Sequence, residues 1–294
     1  MVEPAAAIQS PPVALVTGPT AGIGRAFATE LARQGHDLVL VSRDESRLQT
    51  LARELEVQFG VTATVIAADL SIAADLTRVE EFVSRHRVDV LVNNAGFGIR
   101  GGFLANDVDA EQQLLEVMVV AVMRLTRAAL PGMVERRRGY VFTVSSVAGW
   151  IAGGTYSAAK AWATVFTEGL QTDLAGTGVR AVAVCPGYAR TEFHARAGIN
   201  IESISDALWL DPDDVVSQAL RDARAGRIVS VAGWQYKALS VLLGVLPRPV
   251  IRLVGQSGQI AARLGRDRSL RCGLSATAEN PDYLILWRVR NHPL

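Results

Sequence analysis

The chain has 294 residues, 49% hydrophobic and 20% charged, with a formal net charge of +1. It can bury a full core, and α/β chains of about 200 to 250 residues commonly form a single domain. Its near-neutral balance excludes a field built to attract nucleic acid, and its two cysteines, Cys185 and Cys272, exclude a disulfide framework.

Taken in chain order, Met1 to Pro12 has no basic start and no continuous apolar stretch, and reads as a disordered arm rather than a signal peptide. Val13 to Thr17 is a short apolar run stopping at Gly18, as expected of a buried parallel strand. Ile23, Phe27 and Leu31 then share one helical stripe, with Gly35 as its stop. Further strands are predicted over 37–42, 62–67, 88–93, 140–144, 179–184 and 228–231. Helices are predicted over 45–59, 76–85, 109–130, from about Thr155, and over 213–225. This alternation predicts one Rossmann-type α/β domain over residues 13–232, a doubly wound parallel sheet of about seven strands with helices on both faces. Ligands on such sheets bind outside the carboxyl ends of the strands. Gly18, Arg43, Asp69, Asn94, Ser146 and Pro186 each follow a predicted strand.

Between the first strand and helix lies Thr17-Gly18-Pro19-Thr20-Ala21-Gly22-Ile23-Gly24. Glycines let a backbone approach a pyrophosphate, and a helix N-terminus offers it free N–H groups. The second strand ends at Ser42-Arg43 with no acidic residue at its tip. An acid there would bind the ribose 2′-hydroxyl of NAD, whereas arginine pairs with the 2′-phosphate of NADP. Arg43 therefore places NADP(H) ahead of NAD(H), with Asp44 as the neighbour that would partly neutralise it. Farther on, Tyr156 and Lys160 stand four residues apart on a predicted helix and share a face. A lysine ammonium beside a phenol favours phenolate and lowers the phenol pKa from about 10, a useful property in general acid–base work on an alcohol or carbonyl.

With Thr17-Gly18-x-x-x-Gly22-Ile23-Gly24, Asn93-Asn94-Ala95-Gly96, Ser146, Tyr156-x-x-x-Lys160 and Pro186-Gly187 in this order, the chain resembles the short-chain dehydrogenase/reductase family. The resemblance covers about Val13 to Val231 and continues more loosely to about Leu264. It implies that Gly18, Thr20, Gly22, Ile23 and Gly24 cradle the cofactor, that Asn94, Ala95 and Gly96 support it, and that Asp69 and Leu70 sit at the adenine. Pro186, Gly187 and Thr191 would line the nicotinamide end. Tyr156 would be the proton donor or acceptor, and Lys160 would bind the nicotinamide ribose and acidify the phenol. Ser146 would hold the substrate oxygen. It is chosen over Ser145 because it directly precedes the x-x-Gly segment, here Val147-Ala148-Gly149. One departure is that the family's usual asparagine, which holds a water linking the lysine to solvent, is Met118 here. A thioether is a poor hydrogen-bonding group.

The expected reaction is NADPH-dependent reduction of a ketone, 3-oxoacyl or otherwise lipid-like, to a secondary alcohol. The alternatives are an NAD-dependent alcohol dehydrogenase and a non-catalytic NADP(H)-binding regulator. His36, His86, His194 and His292 show no ligand spacing, so no metal site is expected. The apolar face of Leu114 to Leu130 suits core packing or pairing with another subunit, and a homo-oligomer in the cytoplasm is expected. Residues 233–264 read as a helical extension, able to cap the sheet, admit an apolar substrate or rest against a membrane surface as a peripheral contact. Residues 265–294 match no recognisable element.

Overall fold

Seven short runs rich in valine, leucine and alanine pair side by side in the computed structural model, which describes residues 10–99, 101–193, 205–247 and 249–252. They are β1 (Val13–Thr17), β2 (Asp37–Ser42), β3 (Ala63–Ala67), β4 (Val90–Asn93), β5 (Gly139–Val144), β6 (Val179–Val184) and β7 (Val229–Ser230). All neighbours are parallel, in the order β3-β2-β1-β4-β5-β6-β7. The expected α/β architecture is therefore present. The strand order reverses between β1 and β4, and a crevice opens at such a switch point.

Helices α1 (Gly22–Arg33), α2 (Glu45–Phe59) and α7 (Pro212–Arg224) cover one face. The other carries α3 (Ala73–Arg85), α4 (Val108–Leu115), α5 (Ala121–Glu135) and α6 (Gly154–Asp173). Side chains alternate across the pleat, so each strand feeds two cores. Ala14 and Val16 of β1 pack with Phe27, Leu48 and Val216, whereas Leu15 packs with Leu76, Leu114 and Leu125.

The segment expected as one helix over 109–130 is interrupted. A π turn, Glu116–Val120, joins α4 to α5, inserting an extra residue into the helical ladder. Residues 108–135 are long and apolar enough to cross a membrane by length and composition. Leu114, Met118, Ala121, Leu125, Ala129 and Met133 are nevertheless buried in the sheet core, so this stripe is a core face.

After β7 the chain forms α8 (Trp234–Val245). Only Tyr236 and Leu243 of this helix are buried, so it covers the sheet far less than a capping helix would. The remainder of the extension past residue 252, the tail 265–294 and residues 1–9 of the arm lie outside the described residues, as do His194, Cys272 and His292.

Candidate active site at the carboxyl edge of the sheet

The turn after β1 is built as an anion cradle. Gly18 and Gly22 have φ of +64° and +54°, a region that disfavours side chains. A Cβ on Gly24 would lie 2.2 Å from the Gly18 carbonyl oxygen and 2.3 Å from Asn94 Nδ2, so the helix start and the turn touch backbone to backbone. Helix α1 has no side-chain cap at Ala21 and no acid in its first turn. By contrast, Asp44 caps α2 and Asp211 caps α7. The uncapped N–H groups of α1 thus remain available to an anion.

The Asn-Asn-Ala-Gly segment after β4 supports this turn from below. Asn94 Nδ2 donates to the carbonyls of Thr17 (2.9 Å) and Gly18 (3.0 Å). Thr17 Oγ1 in turn accepts the backbone N–H groups of Asn94 and Ala95, each at 3.0 Å. Gly96 lies against the Met118 side chain. A dinucleotide pyrophosphate fits what these residues present: a glycine cradle, an unsatisfied helix end and no competing acid.

At the β2 end, Arg43 is exposed, with Nη1 3.6 Å from Asp69 Oδ2. Asp44, the expected neutraliser, instead accepts Arg47 N–H as the α2 cap, and Asp69 is the carboxylate that faces Arg43. Burial alone would raise the Asp69 carboxyl, but the Ser71 hydroxyl and amide together with Arg43 outweigh it and hold it below its ordinary value. Leu70 is buried beside it. Arg47, which sequence reasoning missed, donates to the Thr20 carbonyl at 3.0 Å and pairs with Glu192 at 3.0 Å. A Cβ on Gly22 would meet Thr191 Cγ2 at 2.6 Å. Together these contacts bring the turn after β1 and the loop after β6 against each other across the crevice.

Ser146, Tyr156 and Lys160 converge where β5 ends. The neighbouring serine faces away: Ser145 Oγ donates to the Lys160 carbonyl at 2.6 Å and lies 2.7 Å from Thr164 Oγ1. Ser146 Oγ accepts Ala148 N–H and donates to the Pro186 carbonyl at 3.4 Å, and its hydroxyl lies near enough to Tyr156 to favour the phenolate. The x-x-Gly segment after it has a steric cause, because a Cβ on Gly149 would sit 2.9 Å from Ala161 N on α6. That close approach lets the Ser146 loop lie directly on the helix bearing Tyr156 and Lys160. The Tyr156 ring packs against Phe193 with centroids 5.6 Å apart. Beside it a cavity of about 50 Å³ is lined by Ile99, Phe103, Leu114 and Gly153, with Asn106 and Glu111 as its polar members.

The electrostatics correct one expectation. Lys160 Nζ lies 5.8 Å from the Tyr156 ring centroid, but it donates to the Val144 carbonyl at 2.6 Å. Burial pushes the phenol up to about 12, and only the Ser146 hydroxyl opposes this. Burial also pushes Lys160 down to about 8. Desolvation shifts both groups toward their neutral forms, and Lys160 is not among the groups that lower the phenol, so the expected acidification is absent in this state.

Met118 occupies the π turn, 2% exposed, in contact with Gly96. A Met118→Asn substitution would bury an amide among the apolar residues of this core. We expect it to lower unfolding free energy by about 1–3 kcal/mol in urea titrations.

On the other side of the crevice, Val147 N–H donates to the Pro186 carbonyl at 3.0 Å, tying the two loops together. Gly187 is pressed by the ring of Tyr236, whose Cζ would lie 2.0 Å from any Cβ there. Tyr236 is a second residue the sequence did not signal. Its hydroxyl accepts Tyr188 N–H at 3.1 Å and donates to the Leu208 carbonyl at 2.7 Å.

A family model described as short chain dehydrogenase matches residues 12–201, a span containing the turn, the Asn-Asn-Ala-Gly segment and the Ser146–Tyr156–Lys160 group. The chain belongs to the short-chain dehydrogenase family. It is 37% identical over 205 residues to sulfoacetaldehyde reductase 2 of Chromohalobacter salexigens, covering 68% of this chain and 81% of that protein. It is 35% identical over 187 residues to the very-long-chain 3-oxoacyl-CoA reductase of Anas platyrhynchos, covering 61% of this chain and 60% of that one. A short-chain dehydrogenase from Sphingobium yanoikuyae, solved in complex with NADPH, superposes with a TM-score of 0.72 at 32% identity, covering 81% of this chain and 97% of that one. This short-chain dehydrogenase is accordingly an NAD(P)-dependent oxidoreductase.

Proposed function

We propose that the protein reduces a ketone of the 3-oxoacyl or a related lipid-like class to a secondary alcohol, using NADPH. The observation that carries this reading is the convergence of the Ser146 and Tyr156 hydroxyls with Lys160 at the end of β5. When bound, the nicotinamide supplies hydride to the carbonyl carbon. Ser146 donates a hydrogen bond to the carbonyl oxygen, where negative charge develops. Tyr156 gives its proton to that oxygen as it becomes alkoxide. Lys160 would hold the cofactor ribose, and its cation would stabilise the phenolate left behind. Ile99, Phe103 and Leu114 beside Tyr156 suit an apolar substituent on the ketone, and Asn106, Glu111 and Thr155 offer polar contacts in the same cavity.

Single-turnover oxidation of bound NADPH by a panel of 3-oxo thioesters and bulky ketones tests the reaction. Loss of nicotinamide absorbance with at least one of them is expected. No oxidation by any ketone, with secondary alcohols reducing the oxidised cofactor instead, would reverse the assigned direction.

NADPH is favoured by Arg43, exposed at the tip of β2. An Arg43→Ala protein is expected to bind NADPH at least about tenfold more weakly and NADH about equally well, measured by fluorescence titration. The NAD-dependent reading is separated from the NADPH reading by the measured affinities for NADPH and NADH in the two proteins. A variant losing affinity for both cofactors equally would favour it.

A further inference from the structure

Helix α8 is apolar on two opposite sides. Tyr236 and Leu243, 3% and 5% exposed, face the protein. On the outside, Trp234, Ala238, Val241 and Val245 follow helical spacing, and Leu242 widens the stripe. Trp234 is 82% exposed, Val241 69% and Val245 76%. A helix that is apolar all round belongs in an apolar environment on both sides. This one has 12 residues, far fewer than the roughly 20 needed to span a bilayer, so a position in the plane of a membrane surface is the geometry open to it.

Charge identifies what covers the outer stripe. Residues 233–294 hold nine Lys and Arg against three Asp and Glu, a net +6 in a chain whose total is +1. Residues 1–232 are correspondingly net −5. Lys237 and Arg252 are exposed on and just beyond the helix. In a two-fold dimer through this stripe the same patch would meet itself, with Lys237 brought toward its own copy. An anionic lipid surface offers the opposite charge, and a tryptophan at the edge of an apolar stripe suits the headgroup boundary.

We infer that α8 docks the protein on anionic lipid bilayers through Trp234, Val241, Leu242 and Val245. The same helix carries Tyr236, which grips the loop of Gly187 and Tyr188. Docking therefore leaves that loop behind the helix, one helix thickness from the lipid. The inference goes beyond the proposed reaction, and its test requires no turnover.

The full-length protein is sedimented with vesicles of phosphatidylcholine alone or mixed with phosphatidylglycerol. Binding to the mixed vesicles, weakened by salt, is expected, with little binding to phosphatidylcholine. A Val241→Asp/Val245→Asp protein should bind at least about tenfold less while keeping NADPH affinity and turnover of a water-soluble ketone. Should that protein fail to fold, Trp234→Ser, a change at a solvent-facing position, should show the same direction of loss. Wild-type protein left in the supernatant with both vesicle types overturns the inference. So does a double variant with unaltered vesicle binding that turns a wild-type oligomer into monomer by light scattering, which would make the stripe a subunit contact.

Discussion

Replacing Tyr156 by phenylalanine is expected to lower kcat for ketone reduction by about two to four orders of magnitude. NADPH affinity should stay within a few-fold of wild type. Phenylalanine keeps the ring against Phe193 and removes only the hydroxyl. Because burial pushes the phenol up to about 12, it is protonated throughout the neutral range. Delivering that proton requires the phenolate to be stabilised at the moment of transfer, and the cation one helical turn away is placed to do so. Stopped-flow measurement of hydride transfer, with cofactor titration alongside, separates chemistry from binding. A phenylalanine variant retaining more than about a tenth of wild-type turnover would remove Tyr156 from the mechanism.

A Lys160→Met protein is expected to lose nearly all activity and to gain stability near pH 7. Lys160 is 6% exposed, and the backbone carbonyl of Val144 is the acceptor of its ammonium. Its pKa is about 8 in the folded protein, below the ordinary 10.5. Below pH 8 the folded protein therefore bears the cost of a buried cation, of the order of 3 kcal/mol. Between about 8 and 10.5 the unfolded chain binds this proton more tightly than the folded one, so this group makes stability rise with pH across that window. Methionine fills similar space without charge. Its advantage should be greatest at pH 7 and fade toward pH 10.5, as read from urea unfolding of both proteins at several pH values. A methionine variant less stable than wild type at pH 7 would show that the ammonium is well accommodated.

The parallel sheet was legible because residues 13–16, 38–41 and 181–184 are uninterrupted apolar runs. Buried strands need that composition whatever surrounds them. Helical spacing pairs Tyr156 with Lys160 from adjacent residues alone, whereas Ser146 was singled out only through the family resemblance. The π turn was not legible. Glu116 to Val120 reads as ordinary amphipathic helix, and widening it by one residue depends on how Met118 packs over Gly96. Arg47 and Tyr236 escaped notice because their partners lie far along the chain, Glu192 at a separation of 145 residues and Tyr188 at 48. The pKa direction was misjudged for a different reason. Spacing reveals which charges are neighbours, whereas desolvation depends on the folded surroundings.

Gly187 and Tyr236 have one further consequence. The phenol ring fills the volume that a methyl group at position 187 would need, so the two positions divide a single allotment of space between them. Bulk added to the loop must be taken from the helix, and a smaller residue on the helix leaves a hollow beneath the loop. A change far toward the chain's end is in this way read out, atom against atom, in the loop that follows β6.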